Sequence, residues 1–369
     1  MSESVIINPN RFADMQSSSF LPVSGRISGN EVWFAKTIDT DRMRIPLSIG
    51  IHGDDLVVSY GTLLAVLNRK DGSTVWKREI TGNHVASMDE DGILNLDHAG
   101  YYVPLGYDGQ LKKERPLVSI TQETYLQFIR ATDDEIMYGY QKYPGPVSEP
   151  GEKMDEPYYE FVRFAPDDFS VIWQHQVEGE ALATLISKDY ERIYLATSKQ
   201  LYIFPSNIST LAGTVKTTDF TKIEKISVDH DGNVLLVELI EECMEIKQVS
   251  PEGETQWKLA LEGSRISKQP PVSSPDGYIY FTQDNSLYQI REGDIVWVYK
   301  LPQSPDENMI TVLADNSVLA AVGNSLVHVS ATGEEILTKI LVSPIGTRPV
   351  MDEKGRVYIG GEDGIRCLE

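Results

Sequence analysis

Positive charge is scarce in this chain: 33 lysines and arginines stand against 55 aspartates and glutamates, for a formal charge of −22. A nucleic-acid binder needs a basic face that releases counterions from phosphates, so that class is excluded. The acidity reads as solubility. Cysteine is nearly absent. Cys243 and Cys367 lie far apart and read as two reduced thiols rather than a disulfide. No run approaches the roughly 18 apolar residues of a membrane span. Met1-Ser2-Glu3-Ser4 carries neither the basic nor the apolar region of a signal peptide. The expectation is a cytoplasmic protein with no membrane span.

Catalytic signatures are missing as well. There is no Gly-x-Ser-x-Gly elbow, no His-Glu-x-x-His, no Cys-x-x-Cys and no phosphate-binding glycine loop. The histidines, His52, His84, His98, His175, His230 and His328, are spread along the chain with no partner at ligand spacing. Asp89-x-Asp91-Gly92 and Asp229-x-Asp231-Gly232 resemble the start of a calcium loop but lack the closing glutamate. They read as tight turns, in which aspartate bonds nearby backbone and glycine accepts positive φ. An apolar period of 3.6 residues is not found, which removes helical solenoids.

What the chain does have is a repeat. Trp33, Trp76, Trp257 and Trp297 each lie four residues after a glycine: Gly29, Gly72, Gly253 and Gly293. Trp173 keeps the tryptophan without the glycine, while Gly109, Gly213 and Gly333 keep the glycine without the tryptophan. A second ladder of turns runs in step, including Asp54-Asp55-Leu56, Asp231-Gly232-Asn233-Val234, Asp276-Gly277-Tyr278-Ile279 and Lys354-Gly355-Arg356-Val357. The period is about 40 residues, in the range of propeller and solenoid repeats. Within it, Pro270–Asp276, Tyr278–Gln283, Ser286–Ile290 and Asp294–Leu301 read as four strands separated by turns. Four short antiparallel strands repeated radially make a propeller blade.

The sequence therefore predicts an all-β, eight-bladed β-propeller, with blades at roughly 45–80, 85–117, 125–177, 182–218, 223–261, 270–302, 309–341 and 348–369. The last unit runs out after three strands, and the segment 29–38 carries the glycine-to-tryptophan spacing with no strands before it. That N-terminal strand is expected to complete the C-terminal blade and close the ring, giving one domain over 29–369. Residues 1–28 form an extension of unknown structure, in which Val5-Ile6-Ile7 adds a strand or plugs the ring.

These units resemble the pyrroloquinoline-quinone-like (quinoprotein alcohol dehydrogenase-like) β-propellers, whose repeat ends in Ala-x-Asp-x-x-Thr-Gly-x-x-x-Trp. Val66 to Trp76, through Asn68, Asp71 and Gly72, and Val327 to Leu337, through Thr332 and Gly333, are the nearest copies. The resemblance implies two kinds of protein. One is the quinoprotein dehydrogenase, with quinone and calcium in the channel and adjacent cysteines that this chain lacks. The other is the short non-catalytic propeller, similar to the outer-membrane assembly lipoproteins and their cytoplasmic relatives. Each tryptophan is expected to stack on the peptide plane that a glycine in the neighbouring blade leaves bare.

Two features point to a binding surface. The third unit carries an insertion, 142–157, rich in proline and glycine and flanked by Tyr140, Tyr143, Tyr158 and Tyr159. Long loops in compact domains are uncommon and often functional, and tyrosines suit contact surfaces. On the same face, blade-to-blade loops bring Arg348, Arg42, Arg44 and His84 into consecutive positions, with Arg265 and Lys268 in another loop. Such an arc receives an anionic ligand or an acidic tail, or else neutralises nearby carboxylates. The reading is a monomeric, non-catalytic scaffold for a protein or peptide, with no cofactor expected. The alternatives are a quinone- or metal-dependent oxidoreductase using pyrroloquinoline quinone and calcium in the channel, and a lyase or hydrolase acting on a sugar or peptide.

Overall fold

The computed structural model describes residues 6–7, 20–36, 46–60, 63–80, 87–89, 92–96, 101–111, 115–116, 129–131, 136–143, 158–164, 171–179, 181–187, 191–197, 200–205, 223–240, 243–263, 269–302 and 309–369. Every regular element among them is a β-strand. The strands form eight sheets, antiparallel within each repeat and here numbered in chain order: 48–79, 87–116, 129–177, 181–205, 223–262, 272–300, 309–340 and 350–368. All have four strands of their own repeat or a borrowed fourth, except the fourth sheet, where three lie among the described residues. The chain divides into two compact units: residues 1–115 with 265–369, and residues 116–264.

Burial along each sheet explains the sequence pattern. Second strands such as Ile279–Gln283, Val318–Val322 and Val357–Gly361 are buried at every position. A strand covered on both faces reads as a continuous apolar run, which is why no alternation marks these segments. Fourth strands such as Thr74–Glu79 and Glu31–Lys36 alternate between exposed and half-buried. Third-to-fourth turns carry the required chemistry: at Glu292-Gly293, φ is +52° and +85°, as a type I′ hairpin turn demands.

Tryptophan and glycine join consecutive sheets. A Cβ placed on Gly72 of the first sheet would lie 2.6 Å from Cε3 of Trp33, which belongs to the eighth. The same clash, at 2.9 Å, sets Trp76 of the first sheet on Gly109 of the second, and Trp297 of the sixth on Gly333 of the seventh. Each indole N–H donates to the same turn it covers: Trp33 to Arg69 O at 3.1 Å, Trp76 to Tyr107 O at 2.8 Å, Trp297 to Ala331 O at 3.0 Å. Where leucine replaces tryptophan the contact persists, with Leu337 Cδ2 3.1 Å from the Cβ position of Gly29. A buried aromatic with its N–H satisfied is favourable on both counts.

A bulge aims each indole. In six sheets the pairing slips by one residue just before the tryptophan position, skipping Val32, Val75, Ile172, Gln256, Val296 and Ile336. Bulges bend a strand and redirect its side chains, and they blunt an outer edge against unwanted pairing. The bulged valines and isoleucine account for several exposed apolar side chains, among them Val32, Val75, Ile172 and Val296.

The expected borrowed strand is present. Glu31–Lys36 pairs antiparallel with Gly364–Leu368 and gives the eighth sheet its fourth strand. Ser28 N and Oγ both donate to Glu369 O, at 2.8 and 2.6 Å, and Glu369 N donates to Asn30 O at 3.0 Å. Arg366 adds an ion pair to Glu31 and stacks its guanidinium 4.2 Å over the Phe34 ring. Where this sheet meets the first, Arg69 donates to both carboxylate oxygens of Glu353, at 3.0 and 2.8 Å. Partial burial pushes Glu353 upward, but the hydrogen bond and charge of Arg69 outweigh it and hold the carboxyl below its ordinary range.

Two outcomes follow from these contacts. Gly72→Ala combines left-handed backbone strain (φ +73°) with displacement of Trp33, and should cost about 3 kcal/mol. Gly232→Ala, at φ +84° with nothing within 4 Å, should cost only about 1 kcal/mol in urea unfolding. Equal losses at the two sites would show that the indole contact contributes nothing. Arg69→Met should destabilise by roughly 1–2 kcal/mol at pH 7, discounted for the half-exposed Glu353. Because the Glu353 carboxyl is depressed in the fold, its contribution is complete above the unfolded value and fades as pH falls through the folded one. The gap between wild type and Arg69→Met should therefore narrow below about pH 4.

Candidate functional site

The insertion in the third sheet sits on a long hairpin. Ile136–Tyr143 and Tyr158–Phe164 pair without interruption, with Tyr140 opposite Phe161, Lys142 opposite Tyr159 and Tyr143 opposite Tyr158. The strands thus absorb Lys142 and Tyr143, because the alternating Tyr-Gly-Tyr-Gln-Lys-Tyr stretch favours extended backbone. The rest of the insertion, 144–157, lies outside the described residues. Tyr143 and Tyr158 are the last pair in the ladder at its base. Tyr159 is only 8% exposed, packed into the sheet.

Of the expected arc of positive charge, Arg42, Arg44, His84, Arg265 and Lys268 lie outside the described residues. Arg348 is described and is 5% exposed, next to the fully buried Thr347 at the start of the eighth sheet.

The edge formed by the first strands is where the structure adds what sequence reasoning left open. Ile6–Ile7 pairs antiparallel with Ser48–His52, placing Ile6 opposite His52 and Ile7 opposite Ile51. Phe20–Leu21 pairs in parallel with Met309–Leu313, placing Phe20 opposite Val312 and Leu21 opposite Leu313. Both sit on the side of their sheets opposite the fourth strand. The second contact is well anchored. Ala314 N donates to Val23 O at 2.8 Å, Leu21 and Ile27 are buried, and Gly25 packs where a Cβ would come 3.3 Å from Gly355 Cα. Two-residue apolar pieces amid serine, asparagine and proline give no periodicity, so only Val5-Ile6-Ile7 was visible as a strand candidate.

Buried polar groups elsewhere are tied into the scaffold. Asp229 Oδ1 accepts the Asp231 and Asn233 amides at 2.9 Å each, and Asn233 and Gln248 side chains also donate to the carboxylate. Burial pushes this carboxyl upward against those bonds. Its turn role needs no metal. Asp352 is used the same way, accepting Lys354 N, Arg356 N and the Tyr358 hydroxyl. Tyr194 and Tyr280 hydroxyls reach across to the turn of the next sheet, bonding Gly232 O at 2.7 Å and Asn316 O at 3.0 Å.

Asp315, Ser317 and His328 lie together but cannot act as a hydrolytic triad. The Ser317 hydroxyl donates to Asp315 Oδ1 at 2.6 Å, so the 3.1 Å contact from His328 Nε2 is a donation to Ser317 Oγ. A histidine that donates to the serine is not positioned to take its proton. His328 is also fully buried, and that burial keeps its imidazole below the usual value. Glu238, fully buried, is bonded by Lys247 Nζ at 2.8 Å, and Glu245 completes the cluster at 3.0 Å. Burial raises the Glu238 carboxyl, against the pull of Lys247.

No family model matches this chain, and no curated protein matches it by sequence. Solved structures do match. The propeller of Dos1 superposes with a TM-score of 0.59 at 10% identity, covering 96% of each chain. The quinohemoprotein alcohol dehydrogenase ADHIIG from Pseudomonas putida HK5 gives 0.62 at 9% identity, over 96% of this chain and 75% of that one. BamB from Moraxella catarrhalis gives 0.51 at 11% identity, over 92% and 99%. At such identities the likeness concerns the fold alone, and that fold is an all-β propeller.

Proposed function

We propose that this chain is an eight-bladed propeller, closed by Glu31–Lys36, that serves as a non-catalytic, cytoplasmic, monomeric binding module for a protein or peptide. Eight sheets at the repeat period support the blade count. The indole-on-glycine and leucine-on-glycine contacts, running from the sixth sheet through the seventh, eighth and first to the second, support closure. Partner contact is assigned to the 142–157 insertion, with Tyr140, Tyr143 and Tyr158 at its base.

The observation that carries the reading is the use of the first-strand edges. In two sheets that edge carries backbone from the chain's own N-terminal segment. An edge that pairs with extended chain is suited to protein recognition. The conspicuous buried polar clusters serve turns and junctions between sheets, which accords with a scaffold.

Thermal melts with pyrroloquinoline quinone plus calcium test the choice. A ligand at a hundred times its Kd adds about 2.7 kcal/mol, a shift of about 3 °C for a chain of this size. The binding-module reading expects a shift below about 1 °C on that scale; a clear upward shift would restore the oxidoreductase. Removing 144–157, which leaves the Tyr143–Tyr158 pair in place, should preserve the melting temperature and abolish partner capture from an extract of the source cells. Unaltered capture would remove the insertion from the account.

A further inference from the structure

The fourth strand of the sixth sheet, Asp294–Lys300, differs from the other outer strands in what it shows to solvent. It pairs with Ser286–Arg291 and stands at the outer end of its sheet. Its interior, Ile295-Val296-Trp297-Val298-Tyr299, is the longest unbroken apolar and aromatic run in any fourth strand among the described residues. Thr74–Glu79 breaks such a run with Lys77 and Arg78, Thr255–Glu262 with Lys258 and Glu335–Ile340 with Lys339. Glu31–Lys36 comes nearest, but there Arg366 engages both Glu31 and Phe34. In Asp294–Lys300 every residue except Trp297 and Tyr299 is exposed, Ile295 by 43% and Val296 and Val298 by 50% each. The two exceptions fix the strand in place. Trp297 covers the Gly333 turn, and the Tyr299 hydroxyl donates to Glu335 at 2.5 Å. Leu301 N donates to Asn285 O at 2.7 Å, so the alternation of an antiparallel ladder turns the backbone groups of Tyr299 inward and those of Val298 and Lys300 outward.

We infer that the outer edge of Asp294–Lys300 is a strand-addition site for an extended peptide of uncharged β-branched residues that begins with an acidic residue and ends with a basic one. Charge sets that order. Asp294 and Lys300 are exposed at the two ends of the edge, and neither has an ion-pair partner among the described residues. An antiparallel peptide places its first residue beside Lys300 and its last beside Asp294, so each free charge meets its opposite. Edge strands are usually protected by a charge or a proline within them, and this interior carries neither. The bulge at Val296 disturbs the leading end and leaves Trp297–Lys300 regular. A second copy of the strand would match in charge as well, but it would set its own bulge against this one, whereas a peptide meets a single bulge. Backbone bonds to Val298 and Lys300 supply the affinity, and the half-exposed Ile295 and Val298 the preference for β-branched side chains. This inference rests on the reading of the chain as a binding module and adds a second site to the insertion.

The test titrates the fluorescent peptide Glu-Val-Thr-Val-Thr-Val-Lys against the full chain by anisotropy, and saturable binding is expected. Val298→Pro removes an outward N–H, a change that an edge strand tolerates, and should weaken binding about tenfold or more at an unchanged melting temperature. Lys300→Glu covers the case in which the proline variant does not fold. It should weaken binding about threefold or more, and a peptide with lysine in place of its glutamate should recover that loss. Absence of saturable binding to the full chain, or equal binding to the full chain and both variants, would overturn the inference. So would dimerisation of the full chain that Val298→Pro abolishes, which would make a second copy the occupant. A null result here with partner capture through the insertion intact would remove the edge site and leave the binding-module reading standing.

Discussion

The contact of a flat side chain with a bare glycine turn is what the arrangement of sheets depends on. A sheet buried on both faces cannot stand alone, and its register against the next sheet needs a fixed point. That point is the turn at Gly72, Gly109 or Gly333, where the left-handed backbone removes a Cβ and exposes a peptide plane. The indole covers the plane and donates its N–H to a carbonyl of the same turn. Packing and polar satisfaction are met by one residue. The bulge before it supplies the aim, at the cost of an exposed valine or isoleucine on the outer edge.

The junction of the chain's two ends follows the same rule with added reinforcement. Glu31–Lys36 occupies the fourth position of the eighth sheet, and its glycine and tryptophan make the contacts of any other repeat: Leu337 on Gly29 behind, Trp33 on Gly72 ahead. No covalent turn joins this strand to its sheet, so side chains take over. Arg366 holds Glu31 and Phe34, Ser28 caps Glu369, and Arg69 clamps Glu353 across to the first sheet. The N-terminal segment is thereby a structural part over residues 20–36.

Much of the fold could be read from the sequence because its determinants are periodic. The glycine-to-tryptophan spacing located the turns that the indoles cover, and the early end of the last repeat pointed to the strand that completes it. The tyrosines at 194 and 280 escaped notice. They sit in continuous apolar runs, where a hydroxyl reaching the next sheet leaves no periodic mark. The bulges were equally silent, since a one-residue slip changes pairing without changing composition. The candidate site was less legible than the fold. Tyr159 stands among the tyrosines that flank the insertion, and its side chain is packed into its sheet, on the strand Tyr158–Phe164. Arg348 likewise stands in a loop by sequence and is buried by the eighth sheet. The N-terminal strands are too short for any periodicity to declare them.

Hydrogen exchange along residues 1–36 tests most directly whether the N-terminal segment is built into the propeller. Amide protection reports how deeply a strand is held. The account predicts residues 31–36 protected as strongly as their partners 364–368, and residues 20–21 protected to a lesser degree. Uniformly unprotected amides from residue 1 to 36 would contradict it, since the eighth sheet would then lack its fourth strand and Gly72 its covering indole.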